Sequence, residues 1–169
     1  PVGNTVGGGL HSKGIKDKKP DFQEFLFIAN NKNFKKCVDI NNKAYKLTSK
    51  YLKTKGKNDE GAYETNKTNL EVFEAMKKVR KVLRQKNLKV DIGVDVAASS
   101  FFYKNYVYKN HERKLNRKEQ LTYISNLAKR YKILYVEDPM EENDFLGFKK
   151  LSHDLKKSLI VGDDLTTTN

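Results

Sequence analysis

The chain has 169 residues, 37% of them hydrophobic and 33% charged; that suffices for one domain with a real core, and the periodic placing of the apolar residues excludes global disorder. The formal net charge of +13 comes mostly from scattered lysines, with arginine only at Arg80, Arg84, Arg113, Arg117 and Arg130, which argues against a specific nucleic-acid reader and leaves weak polyanion binding at low salt. One cysteine, Cys37, excludes an internal disulfide and fits a reducing cytoplasm, and no run approaches the roughly 20 apolar residues of a membrane helix.

In chain order, Val2-Gly3-Asn4-Thr5-Val6 predicts a strand end and Gly7-Gly8-Gly9 a tight turn. Without a following Gly-Lys-Ser/Thr or Gly-x-Gly-x-x-Gly pattern, these glycines are weak evidence for a phosphate loop. His11 to Pro20 is polar and lysine-rich, a loop over one end of the sheet. Residues 21–28 predict a strand, with Phe22, Glu24, Leu26 and Ile28 on one face and Gln23, Phe25 and Phe27 on the other. Glu24 then stands among residues expected to be buried, where a carboxylate is paired or catalytic unless the strand is an exposed edge.

Phe34, Cys37, Val38, Asn41, Ala44, Tyr45, Thr48, Tyr51 and Leu52 keep the spacing of an amphipathic helix that stops near Gly56. Asp59-Glu60-Gly61, in the loop that follows, has the composition of a turn. Thr68 and Glu71 form a capping box before a helix with Val72, Phe73, Met76, Val79 and Leu83 inward. Lys89 to Ser99 is the central apolar strand, and the aromatic run Phe101 to Tyr108 predicts a small hairpin or an extended excursion. Asn116 and Glu119 cap a third helix, and Asp144 caps a shorter one presenting Phe145, Phe148, Leu151 and Leu155. The short strands Ile133 to Val136 and Ser158 to Gly162 follow the third and the shorter helix respectively.

Apolar runs separated by helix-length segments predict βαβ units and a parallel sheet. Three of the runs end in acids: Asp95, Glu137 and Asp163. Parallel neighbours share one C-terminal end, so these carboxylates converge there. Uncompensated, they repel and raise one another's pKa; a hard divalent cation of the magnesium type relieves this. Strand-end acids also serve as ordinary helix N-terminal residues.

Six stretches taken in order resemble the motifs of the enolase family: Gly7-Gly8-Gly9-Leu10-His11, Asp21-Phe22-Gln23-Glu24-Phe25, Asn58-Asp59-Glu60-Gly61, residues 93–100, Val136-Glu137-Asp138-Pro139 and residues 161–169. The pattern is closest in flavour to archaeal enolases. The resemblance implies an α/β fold, a partial (βα)8 TIM-type barrel of the enolase superfamily covering roughly barrel strands 1 to 5, with residues 1–169 a part of the barrel domain. A chain that begins at Pro1 without methionine reads as part of something longer; the family's small N-terminal α+β domain and remaining strands are expected outside it.

What the resemblance implies for chemistry is the dehydration of 2-phospho-D-glycerate to phosphoenolpyruvate in glycolysis, by a cytoplasmic enzyme that is a homodimer or higher homo-oligomer at full length. Asp95, Glu137 and Asp163 match the ligands of one magnesium ion, and the family uses two Mg2+ per active site. Glu60 matches the acid that helps the C3 hydroxide leave, Glu24 its acidic neighbour, and His11 the histidine near the substrate phosphate. Ala62 stands where many family members have glycine, and Leu10 and Ser12 flank His11 where alanine is common after it; these alter loop stiffness more than chemistry.

The family's lysine base, its second active-site lysine, a histidine-arginine pair and the N-terminal serine loop have no matching positions, so the chain alone is expected to be inactive. Muconate-cycloisomerase and mandelate-racemase types carry Lys-x-Lys at the end of the second barrel strand, whereas Phe22-Gln23-Glu24-Phe25 stands here. The alternative of a different class is a noncatalytic enolase-like fragment that binds polyanions or a partner. No specific nucleic acid and no membrane is expected as partner.

Overall fold

The computed structural model describes residues 1–15, 18–54, 56–110 and 112–168. Its elements are β1 (Val2–Gly7), β2 (Glu24–Ala29), α1 (Phe34–Leu52), α2 (Asn69–Gln85), β3 (Val90–Asp95), β4 (Phe102–Tyr103), β5 (Asn105–Tyr108), β6 (Arg113–Leu115), α3 (Arg117–Tyr131), β7 (Ile133–Glu137), α4 (Phe145–Asp154) and β8 (Leu159–Val161). Lys16 and Asp17 of the expected loop, and Asn169 at the end of the last motif, lie outside the described residues.

The main sheet has five strands in the order β1-β2-β3-β7-β8. β3, β7 and β8 are parallel, as their apolar runs predict. β2 is not: it is antiparallel to both β1 and β3. The reason is parity. No long helix separates β1 from β2, so the chain simply turns back, whereas two helices separate β2 from β3. Each helix reverses the direction once, so β1, β3, β7 and β8 all run one way and β2 runs against them.

The sheet is open among the described residues, with β1 and β8 as its outer strands. This differs from a closed barrel, in which every strand has two neighbours. β2 is also shorter than expected, starting at Glu24 rather than Asp21, although Phe22 ahead of it is fully buried.

The expected face alternation of β2 holds. Phe25 and Phe27 pair in register with Val94 and Ile92, and all four are buried. Phe25 meets Phe73 of α2 edge-on at 5.1 Å, so this face carries the helices. On the opposite face, the space that a Cβ on Gly93 would take is bounded by Leu26, Ile28 and Tyr135.

Helix starts follow the sequence closely. Thr68 and Asn116 each accept the N–H three residues on, while Glu71 and Glu119 reach back to the cap backbone. Such caps satisfy orphan donors and contribute about 1 kcal/mol each. Asp144 accepts from Gly147 N at 2.8 Å and also takes the Arg117 guanidinium. The aromatic run forms the expected hairpin, β4 against β5 with Tyr103 opposite Asn105, and Arg113–Leu115 extends it to a three-stranded sheet by pairing with β5.

Candidate active site

Because β2 runs backwards, its first residue lies at the end where β3 and β7 finish. Glu24 is the register partner of Asp95, and Asp95 in turn of Glu137. Glu24, Asp95 and Glu137 therefore come from three adjacent strands at one end of the sheet.

Two loops close over the same end. Gly8 passes so near the segment before β2 that a Cβ there would lie 2.3 Å from Phe22 O and 2.6 Å from Pro20 O. Only glycine permits that approach, and Gly9 follows at φ +46°. The tight path delivers His11 in a 3-10 turn. In the second loop Gly61, at φ +79°, closes the turn by donating to Asn58 O at 3.0 Å. Asn58 holds both loops together, donating to His11 O at 2.7 Å and accepting from Ala62 N at 2.8 Å.

The result is a cluster of His11, Glu24 and Glu60, whose ligand atoms lie within 4.8 Å of one another. His11 Nδ1 is 3.1 Å from Glu60 Oε2 and 3.4 Å from Glu24 Oε1. Asn4 of β1 donates to Glu60 Oε2 at 3.3 Å. Burial, and next the nearby Glu60 charge, raise the Glu24 pKa, with His11 opposing. An acid so placed holds a proton more firmly than a free side chain does.

Asp95 is the most perturbed carboxyl of the site. Burial, then Glu137, push its pKa up to about 8, against the stabilising N–H of Ala97 at 3.0 Å. Gln23 donates to its other oxygen at 3.1 Å. Glu137 is likewise raised, by burial first and also by Asp138, Asp163 and Asp164, while Tyr135 OH donates to it at 3.0 Å. Asp163 follows β8, and its charge reaches Glu137 in this way.

Asp95, Glu137 and Asp163 thus share one end of the sheet, as the strand pattern predicts. Among the described residues, the set whose atoms close within 4.8 Å is nonetheless His11, Glu24 and Glu60, not these three. As a donor set the three fit a hard divalent cation: all are carboxylates, and the pKa of Asp95 and of Glu137 is raised by burial first and then by neighbouring carboxylates, Glu137 acting on Asp95 and Asp163 on Glu137, a charge crowding that such a cation offsets.

One residue of the site carried no assigned role in the sequence. Asp138 is buried, at φ +39°, and accepts the N–H of Asp163 at 3.1 Å and of Asp164 at 2.8 Å. It positions the turn that presents Asp163. The only sequence signal was its place in Glu137-Asp138-Pro139, where two acids precede a proline. Left-handed backbone at Asp138, and at Ala97 two residues beyond Asp95, concentrates strain at both strand ends.

A family model described as enolase, C-terminal TIM barrel domain, matches residues 1–169. Enolase of Pyrobaculum aerophilum is 40% identical over 178 residues, covering 100% of this chain and 42% of that protein. Enolase of Archaeoglobus fulgidus is 37% identical over 176 residues, again 100% of this chain and 42% of its own length. Enolase of Ehrlichia ruminantium is 36% identical over 180 residues, 100% of this chain and 41% of its own. The chain spans about two fifths of the length of these curated relatives.

Proposed function

Because the chain belongs to the enolase family, we propose that its acidic strand-end site serves the reversible, magnesium-dependent dehydration of 2-phospho-D-glycerate to phosphoenolpyruvate. The observation that carries this reading is the reversed β2. It brings Glu24 beside Asp95 in register and sets the His11, Glu24 and Glu60 cluster next to the strand-end carboxylates. An elimination needs both groups: one that holds the substrate carboxylate while charge builds on it, and one that gives a proton to the departing hydroxide.

In this proposal Asp95, Glu137 and Asp163 hold one Mg2+, with two ions per complete site. Bound magnesium supplies charge stabilisation at the substrate carboxylate. Glu60 gives the proton to the C3 oxygen. Glu24, whose pKa is raised by burial and by Glu60, shares and resupplies that proton. His11, on its glycine-built turn, faces the substrate phosphate. Asn58 and Asn4 fix the loops so that these groups stay in reach.

The whole enzyme is proposed to be a cytoplasmic homo-oligomer, and the 169-residue chain alone to be inactive, since it offers no match for the family's lysine base. No helix among the described residues is long and apolar enough to cross a membrane. Phosphoenolpyruvate absorbance at millimolar magnesium tests the reading: turnover by the full-length enzyme, lost on Glu60→Gln, is expected. Turnover by the isolated chain, or undiminished activity of that variant at full length, would overturn it.

A further inference from the structure

The end of the main sheet opposite the acidic site is rich in lysine. At the end where β2 finishes and β3 begins, a concavity of about 620 Å³ is lined by Lys32, Lys36, Lys43 and Lys89, with Asp39 as its one acid. A second, of about 300 Å³, shares Asn30, Asn87, Leu88 and Lys89 with it and reaches Asp91. A third, of about 570 Å³, takes up at Asp91 and is lined by Lys129, Lys132, Lys156 and Lys157. The first two share a wall, and the third meets the second at Asp91, so the three follow one another as a groove across the strand starts.

Lysines outnumber acids in these three concavities, eight against Asp39, Asp91 and Asp154. None of the eight lysines forms an ion pair among the described residues, while Arg84 and Asp91 at the middle pair with each other at 3.2 Å. Asp154, in the third concavity, is taken by Lys150 at 2.6 Å. Lys129 and Lys132 at the C-terminal end of α3 complement the helix dipole and need no ligand. Lys35 and Lys36 do not: they stand in the first turn of α1, where the dipole favours acids and none is present. That turn adds positive potential to the concavity, against which α1 sets only the Asn33 cap and Asp39.

The lining also selects among anions. It contains no aromatic side chain, so nothing there stacks a base. Its one guanidinium, Arg84, pairs with Asp91, so the remaining cations are ammonium groups, which meet phosphates as point charges. What remains is a row of ammonium groups along an extended path. We propose that this groove binds a linear inorganic polyphosphate through its phosphates alone, at the end of the sheet remote from the acidic site.

The test is fluorescence anisotropy of labelled polyphosphate with the full-length protein. Reversing four groove lysines (Lys36→Glu, Lys43→Glu, Lys89→Glu, Lys132→Glu) is expected to raise Kd by more than about tenfold, a loss of roughly four phosphate contacts that also flattens the salt dependence. Reversing four lysines elsewhere (Lys46→Glu, Lys114→Glu, Lys118→Glu, Lys149→Glu) changes net charge equally and is expected to raise Kd by less than about threefold. Glutamine at the same groove positions gives a smaller loss in the same direction and guards against misfolding, which far-UV circular dichroism monitors. Equal weakening by both quartets would reduce the effect to net charge and overturn the proposal. So would tighter binding of a single-stranded oligonucleotide of equal phosphate count.

Discussion

Glu24 and Asp95 are register partners across an antiparallel strand pair, the first residue of β2 facing the last of β3. In a wholly parallel sheet a residue that opens a strand lies at the far end from residues that close one. The reversal of β2 removes that separation, and two carboxylates with different proposed tasks become neighbours.

Substitutions should therefore separate the two tasks. Glu24→Gln in the full-length enzyme is expected to lower kcat by about a hundredfold, the usual scale for a lost proton donor, and to leave magnesium-dependent thermal stabilisation intact. Asp95→Asn is expected to abolish that stabilisation. Differential scanning fluorimetry with and without magnesium, beside the turnover assay, checks both. Loss of the thermal shift in Glu24→Gln would place the two side chains on the same ion.

Asp138 should act through Asp163. Its carboxylate holds the N–H groups of Asp163 and Asp164, and without it those donors lose their partner. Asp138→Ala is expected to weaken magnesium affinity by about 10- to 100-fold, as removal of a group that orients metal ligands does. Asp138→Asn keeps one acceptor oxygen and is expected to recover part of the affinity. Isothermal titration with magnesium reads the difference. If both variants unfold to the same degree and bind alike, Asp138 is a folding residue only.

The α2 cap gives an acid-side prediction. Glu71 accepts the Thr68 N–H at 2.9 Å, and that bond, before any other cause, lowers its pKa. A carboxyl depressed in the folded state contributes stability above its unfolded pKa and loses it as pH falls through the folded value. Thr68→Ala is expected to cost about 1 kcal/mol at neutral pH. Glu71→Gln is expected to flatten the acid limb of a stability-against-pH curve measured by urea unfolding. An unchanged acid limb would mean that the bond is not retained in solution.

Much of this site was legible in the residues because its carriers sit at element boundaries, where pattern is strongest. Asp95, Glu137 and Asp163 close apolar runs, and the parallel order of those runs needed only the intervening helices. The caps at Thr68 and Asn116 were equally local. The direction of β2 was not local. It depends on counting chain reversals, and a βα rhythm conceals that two helices follow one strand. The third strand at Arg113–Leu115 was hidden because three residues with two charges have no alternation to display. Asp138 escaped notice because its role is to bind backbone N–H groups, and those have no signature in sequence.

On the alkaline side Tyr131 is one of several tyrosines whose pKa the fold raises. Its ring is buried and stacks on Phe73 at 5.0 Å, and its hydroxyl donates to Glu74 Oε1 at 2.9 Å. Burial, then the Glu74 carboxylate, push its pKa from 10.0 to about 12. A group raised in the folded state contributes stability that is complete below its unfolded pKa and is lost as pH rises through the folded one. The window for Tyr131 is thus pH 10 to about 12. Tyr131→Phe keeps the stacked ring and removes the hydroxyl with its hydrogen bond, a loss of about 1 kcal/mol at neutral pH. Above pH 10 the wild-type chain loses that advantage while the variant has none to lose, so the two stabilities are expected to converge. Urea midpoints measured at steps across the window, for both chains, read this directly. A difference that stays constant to pH 12 would mean that the Tyr131 proton is not held by the fold.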